Sequence, residues 1–203
     1  VGRKTLIDFL ALAPDIVKMT IALFIVVDPL GSVPIFIGLT QDMDKAQRKK
    51  TYQLATVTGL LLLTVFSLVG QNILVLFGIS LDSFMIAGGI LLLIVAVRLL
   101  MGGWREQTTT SESVGAVPIG CPLLVGPGAI TTSILNIQSY GILATVLSVL
   151  LTFVIVWLIL KFIDPIYRIL GKNGSLVISR VMALLIASIA VQYIIEGAKS
   201  GLL

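Results

Sequence analysis

The sequence predicts an all-α, polytopic membrane protein, and three observations carry that prediction. Apolar residues make up 57% of the 203 positions and charged residues 12%, against roughly 45–50% and about 25% in an ordinary globular chain. Long stretches hold no charge: none lies between Lys50 and Asp82, and none from Ser113 to Leu160. Two apolar segments are interrupted by proline and glycine, at residues 29–34 and 122–128. The composition excludes a disordered chain, which would be poor in hydrophobic residues. It also argues against a soluble enzyme, whose surface at this size needs more charge. With no histidine and the single cysteine Cys121, imidazole catalysis, histidine-based metal sites and multi-cysteine centres are out. The expectation is no cofactor, no metal and no enzymatic role.

A hydrocarbon core of about 30 Å takes about 20 residues of helix. Residues 19–40 form the first candidate span, but Asp28-Pro29-Leu30-Gly31-Ser32-Val33-Pro34 sits in its middle. Two prolines and a glycine do not allow a continuous helix, since each proline removes a donor and crowds the preceding turn. A second span covers residues 54–75, followed by a short turn at Gly78-Ile79-Ser80, and a third covers 83–101. The uncharged stretch 113–160 is too long for one helix and divides at Gln138-Ser139-Tyr140-Gly141 into a fourth and a fifth. The sixth runs over 176–195, giving six spans with the first and fourth discontinuous. Residues 1–15 are mildly amphipathic and carry Asp8 and Asp15. They lack the features of a cleaved signal, and a short interfacial helix is expected there.

A shift of 93 residues lays Pro29, Leu30 and Pro34 on Pro122, Leu123 and Pro127, and carries the second and third spans approximately onto the fifth and sixth. The halves are then 1–106 and 107–203 within one transmembrane domain, each with three spans. An odd number makes the second half enter the membrane from the opposite side. Charge agrees: Asp82 opens the third span and Arg98 lies near its end, whereas Arg180 opens the sixth and Glu196 ends it. If those spans are antiparallel, both arginines share one membrane face. This is the pattern of a 3+3 inverted repeat in secondary transporters. Ten basic residues fall on one side (Lys45, Arg48, Lys49, Lys50, Arg98, Arg105, Lys161, Arg168, Lys172, Arg180) and four on the other (Arg3, Lys4, Lys18, Lys199). The richer side is expected in the cytoplasm, with both termini outside, in the cell membrane. The basic residues are scattered among loops, so no nucleic-acid partner is expected.

Each interruption has the pattern of a half-helix start. Ser32 is a candidate cap before Val33 and Pro34, and Gly126 stands in the same relation to Pro127 and Gly128. Free backbone N–H groups and helix dipoles at such ends suit a carboxylate or small anion. Gly31, Gly126 and Gly128 let a ligand approach the backbone. Asp28 is the acid placed deepest in the bilayer, where an ionisable group is costly and commonly functional; it is a proton site or a partner for backbone donors at the break. Thr131, Thr132 and Ser133 can bind a substrate or bond back to helix carbonyls. Gly88, Gly89, Ala183, Ala187, Ser188 and Ala190 are expected to serve close helix packing. Asn136 and Gln192, near span ends, are expected to be solvated.

The runs Asp28-Pro29-Leu30-Gly31-Ser32-Val33-Pro34-Ile35-Phe36 and Pro122-Leu123-Leu124-Val125-Gly126-Pro127-Gly128-Ala129-Ile130-Thr131 resemble the two signature segments of the MarC/SnatA family of prokaryotic inner-membrane proteins. The likeness extends to length, six spans and the order of the motifs. It implies a transporter of small neutral amino acids such as glycine and alanine, driven by the proton gradient. The candidate substrate-binding set is Asp28, Pro29, Gly31, Ser32, Val33 and Pro34 with Pro122, Gly126, Pro127, Gly128, Thr131 and Thr132. Expected partners are a small neutral amino acid, a proton as coupling ion and membrane lipids, with a homo-oligomer left open. A channel, or an exporter of another small solute, is the alternative. The expected geometry is two broken helices whose tips face each other across a hollow at the membrane midplane.

Overall fold

The computed structural model describes residues 2–33, 36, 37, 40, 43–101 and 124–201, and among them all regular structure is helical. The elements are α1 (Gly2–Val27), α2 (Lys45–Leu76), α3 (Leu81–Leu100), α4 (Pro127–Tyr140), α5 (Ile142–Lys161) and α6 (Ile163–Gly201). Among the described residues four stretches are long and apolar enough to cross a membrane: Lys45–Leu76, Leu81–Leu100, Ile142–Lys161 and Asn173–Ser200. The short interfacial helix expected over residues 1–15 is not a separate element. Helix α1 runs from Gly2 to Val27 with Pro14 inside it.

Local chemistry sets the helix ends. Asp44 caps α2, its Oδ1 accepting from the amides of Ala46 and Gln47 at 2.8 Å, while the Gln47 side chain accepts from the Asp44 amide at 3.2 Å. This reciprocal box satisfies donors that the first turn would otherwise leave open. At the other end, the Gly78 amide donates to Val75 O at 3.1 Å and that of Ile79 to Leu74 O at 2.9 Å. Gly78 itself has φ 64, the left-handed closure that favours glycine. Ser80 then caps α3 through the Ser83 amide. Gly141 (φ 83) separates α4 from α5, and α6 kinks at Gly171 (φ 60).

The molecule is apolar outside and mixed inside. Leu61, Val65, Leu91, Ile94, Leu151, Val154, Val181 and Leu184 are exposed, whereas Thr20, Thr56, Ser67, Thr145, Ser148 and Thr152 are buried. Those hydroxyls bond back to carbonyls of their own helices, for example Thr56 to Tyr52 O at 2.8 Å and Ser67 to Leu63 O at 2.6 Å. They therefore enter the interior without open donors. An apolar exterior of this extent is stable only against lipid tails.

Helices α2 and α5 pack antiparallel: Arg48 near the start of α2 pairs with Asp164 just past α5 at 2.8 Å, and Gly59 lies against the Phe153 ring. Helices α3 and α6 are antiparallel too, and they pack more closely. A Cβ at Gly89 would stand 2.7 Å from Ala190 O, and one at Gly197 would stand 2.7 Å from Asp82 O. Small residues thus bring these backbones together, as in other membrane bundles. Asp82 and Glu196 consequently share one end of the bundle, and Arg98 and Arg180 the other.

Burial follows the internal spacing of the sequence. Tyr52, Ala55, Thr56, Gly59, Leu63 and Ser67 of α2 are buried. The residues 93 positions later, Thr145, Ser148, Val149, Thr152, Val156 and Leu160 of α5, are buried as well. One further residue of offset lays Gly89, Leu92 and Ala96 of α3 on Ala183, Ile186 and Ala190 of α6, again all buried. Helix α4 sits innermost among the described elements, touching α1, α2, α3 and α5.

Candidate functional site

The first break is built on a left-handed residue. Asp28 has φ 45, a conformation that costs an L-residue energy and that Asp relieves by bonding local backbone. Its amide still closes α1 on Phe24 O at 3.0 Å, and its Oδ1 accepts from the Gly31 amide at 3.0 Å. The chain then turns so that Ser32 N reaches Asp28 O at 3.2 Å and Phe36 N reaches Ser32 O at 3.0 Å. Ser32 is thus where the next half-helix begins. A Cβ on Gly31 would lie 2.7 Å from the Asp28 Cγ, so the turn requires glycine for space. Of the two roles expected for Asp28, bonding to backbone donors is the one seen. Asp28, Pro29, Gly31, Ser32 and Val33 are all buried.

The segment of the second expected break is described from Leu124 onward, where Val125 and Gly126 lead into α4. Gly126 occupies the cap position of α4 with no side-chain bond, and Pro127 is the first helical residue, where its missing N–H removes no helix bond. The amides of Ala129 and Ile130 turn back to Gly126 O at 3.1 and 3.3 Å. Open space surrounds a Cβ built on Gly126, whereas one on Gly128 would come 2.8 Å from Leu92 Cγ and 3.2 Å from Val26 Cγ1. Thr131 packs on Gly88, where an added Cβ would sit 2.6 Å from its Oγ1. Thr132 is fully buried and accepts a bond from the Tyr193 hydroxyl at 3.2 Å. Ser133 bonds back to Ile130 O at 2.8 Å. Pro34 and Pro122 lie outside the described residues.

The two breaks meet in one buried cluster that holds Val27, Val33 and Phe36 beside Leu124, Val125 and Ala129. Among the described residues these side chains pack together. Two cavities lie near opposite ends of α5, and neither is lined by residues 28–33 or 126–128. The expected midplane hollow is thus neither of these two cavities.

The cavity of about 340 Å³ opens between α1, α3, α4 and α6. Its wall carries Lys18, Glu196, Gln192, Asn136, Ser139 and Tyr193. Asn136, expected to be solvated, is only 8% exposed, and its Nδ2 has no hydrogen-bond partner; the packing of α4 inside the bundle overrides its nearness to a span end. Gln192 is exposed and donates to Glu196 at 2.6 Å. The sequence reading missed Asn136 and Tyr193. A helical period from Gly128 through Thr132 to Asn136 was the available signal, since residues four apart share a face. Tyr193 had no comparable signal in the sequence. The second cavity, of about 430 Å³, lies between α2 and the end of α5, beside the start of α6. Among the described residues no group of His, Cys, Asp and Glu could hold a metal.

Comparison with known proteins agrees with this architecture. Residues 13–202 match the family described as MarC family integral membrane protein. A UPF0056 membrane protein of Archaeoglobus fulgidus is 37% identical over 187 residues, covering 86% of this chain and 88% of its own. The UPF0056 membrane protein YhcE of Escherichia coli is 34% identical, covering 97% of this chain and 95% of its own. A UPF0056 membrane protein of Pyrococcus abyssi is 36% identical, covering 88% of this chain and 92% of its own. No solved structure matches the chain. A family match over nearly the full length, with relatives aligned almost end to end, means that the chain belongs to the MarC family of integral membrane proteins.

Proposed function

We propose that this protein is a secondary transporter of small neutral amino acids such as glycine and alanine, coupled to protons and working by alternating access. The observation that carries the reading is the cavity between α1, α3, α4 and α6. It offers a cation at Lys18 and a carboxylate at Glu196, and deeper in, the unpartnered amide of Asn136. A zwitterion needs both signs of charge, and one amide can donate to its carboxylate and accept from its ammonium. Thr132 and Gly128 lie on the same face of α4, one and two helical turns from Asn136 toward Gly126, so in this reading the substrate moves along that face.

In this reading the structure is a closed state. Substrate enters the cavity, the Thr132–Tyr193 bond opens, and the substrate reaches the half-helix ends at Ser32 and Gly126–Gly128. The apolar cluster around Val33, Phe36, Leu124 and Val125 then reopens toward the other side. Asp28, the one buried acid among the described residues, is the proposed proton carrier. The two halves, 1–106 and 107–203, form six spans in a 3+3 inverted repeat, a reading supported by the matched burial of α2 with α5 and of α3 with α6. The basic end faces the cytoplasm of a cell membrane, with both termini outside. Closed tips favour a carrier over an open pore.

Counterflow tests the proposal. Proteoliposomes loaded with unlabelled glycine should take up labelled glycine transiently and saturably, and alanine should compete. Uptake no greater than in protein-free vesicles, or a flux that does not saturate, would overturn it in favour of another role or a channel.

A further inference from the structure

The cavity at the other end of the bundle has a different chemistry. Its wall of about 430 Å³ carries Lys45, Arg48, Lys49 and Lys161 against a single carboxylate, Asp164. That carboxylate is committed: Arg48 Nη1 donates to its Oδ1 at 2.8 Å, and Arg48 Nη2 donates to Thr40 O at 3.3 Å. The guanidinium is therefore held in place, with its buried Nε lacking a partner. Among the described residues of this wall, Lys45, Lys49 and Lys161 have no facing acid besides Asp164. Lys161 Nζ stands 4.7 Å from the centre of the Trp157 ring. Such a pair marks the headgroup depth, where tryptophan prefers to sit, and Leu160 and Ile163 close the floor below it.

We infer that this cavity seats the phosphate of an anionic phospholipid. A phosphate diester offers several acceptor oxygens to converging cations, and a preorganised guanidinium beside several lysines suits it. A lipid fits better than a soluble anion because Trp157 continues into the exposed apolar face of α5 at Val154 and Leu158, along which acyl chains can lie. Basic pockets between helices at a membrane face commonly take acidic headgroups in this way. The inference is independent of what the protein transports.

Native mass spectrometry of the protein purified in detergent tests it, with phosphatidylglycerol and phosphatidylcholine added separately. The wild-type protein should retain phosphatidylglycerol preferentially. The Lys49→Gln/Lys161→Gln double variant should lose that retention by roughly fivefold per lysine. An Arg98→Gln/Arg180→Gln variant, equal in charge but away from the cavity, should retain it. Equal retention of the two lipids overturns the inference, as does equal loss in both variants, which would mean diffuse attraction. Inorganic phosphate that displaces the lipid, or raises the melting temperature as much alone, would assign the cavity to a soluble anion and overturn the lipid reading. The wild-type selectivity stands as a test even if a variant fails to fold.

Discussion

The Tyr193 hydroxyl donates to Thr132 Oγ1 at 3.2 Å, tying the inner half-helix α4 to α6 at the floor of the cavity between α1, α3, α4 and α6. A single bond of this kind contributes about 0.5–1.5 kcal/mol. Tyr193→Phe keeps the ring and removes the donor. Thermal unfolding in detergent should show a loss of about 1 kcal/mol, with a lowered KM for glycine uptake, because the bond that must open is gone. A variant matching wild type in both would mean that the bond neither stabilises nor guides.

Asp28 and Gly31 separate the structural from the functional demand at the first break. Gly31→Ala forces a Cβ against the Asp28 carboxylate, and overpacking of this sort costs about 1–3 kcal/mol. Asp28→Asn retains an oxygen that can accept from the Gly31 amide, so the helix content and melting temperature should stay near wild type. It removes the charge change, so uptake driven by a pH gradient should fall to the level of exchange alone. Gradient-driven accumulation in Asp28→Asn would remove this residue from proton coupling.

The second break makes the opposite pair. Gly128 is walled by Leu92 and Val26, and Gly126 faces open space. Gly128→Ala should lower stability by about 1–3 kcal/mol. Gly126→Val should leave the fold intact, its φ of −79 being open to any residue, and should abolish glycine uptake by filling the approach to the backbone. Full uptake by Gly126→Val, measured beside its melting curve, would count against a substrate at this tip.

Asn136 gives a prediction in which stability and activity move apart. A buried amide without a partner carries a desolvation cost of about 1–3 kcal/mol. Asn136→Leu, which keeps the branched shape without the polar atoms and has the adjoining cavity to expand into, should therefore raise the melting temperature while raising the KM for glycine. Residues kept for binding at the expense of stability behave in this way. A destabilised variant with normal uptake would give Asn136 a purely structural role.

What the sequence disclosed follows from whether a feature is local. The break at Asp28–Pro29, the helix start at Gly126–Pro127, the turn at Gly78 and the division at Gly141 all arise from backbone rules that act within a few residues. The uncharged runs and the internal spacing were legible for the same reason: they are properties of the chain itself. The amphipathic stretch 1–15 misled because its local pattern does not show that the helix continues to Val27. Asn136 misled because distance to a span end says nothing of which neighbour covers it. The packing of Val33 and Phe36 beside Leu124 and Val125 depends on how separate segments come together.

The most direct test of the whole account is the accessibility of position 32 from each side of the membrane. Cys121 is the only cysteine, so Ser32→Cys in a Cys121→Ser background places one thiol at the first break, nearly isosteric with the residue it replaces. In vesicles, an impermeant thiol reagent should label it slowly from either side, and glycine should slow labelling from both. Labelling from one side only, or from neither, with no effect of glycine, would contradict a site at the breaks that opens in turn to each face.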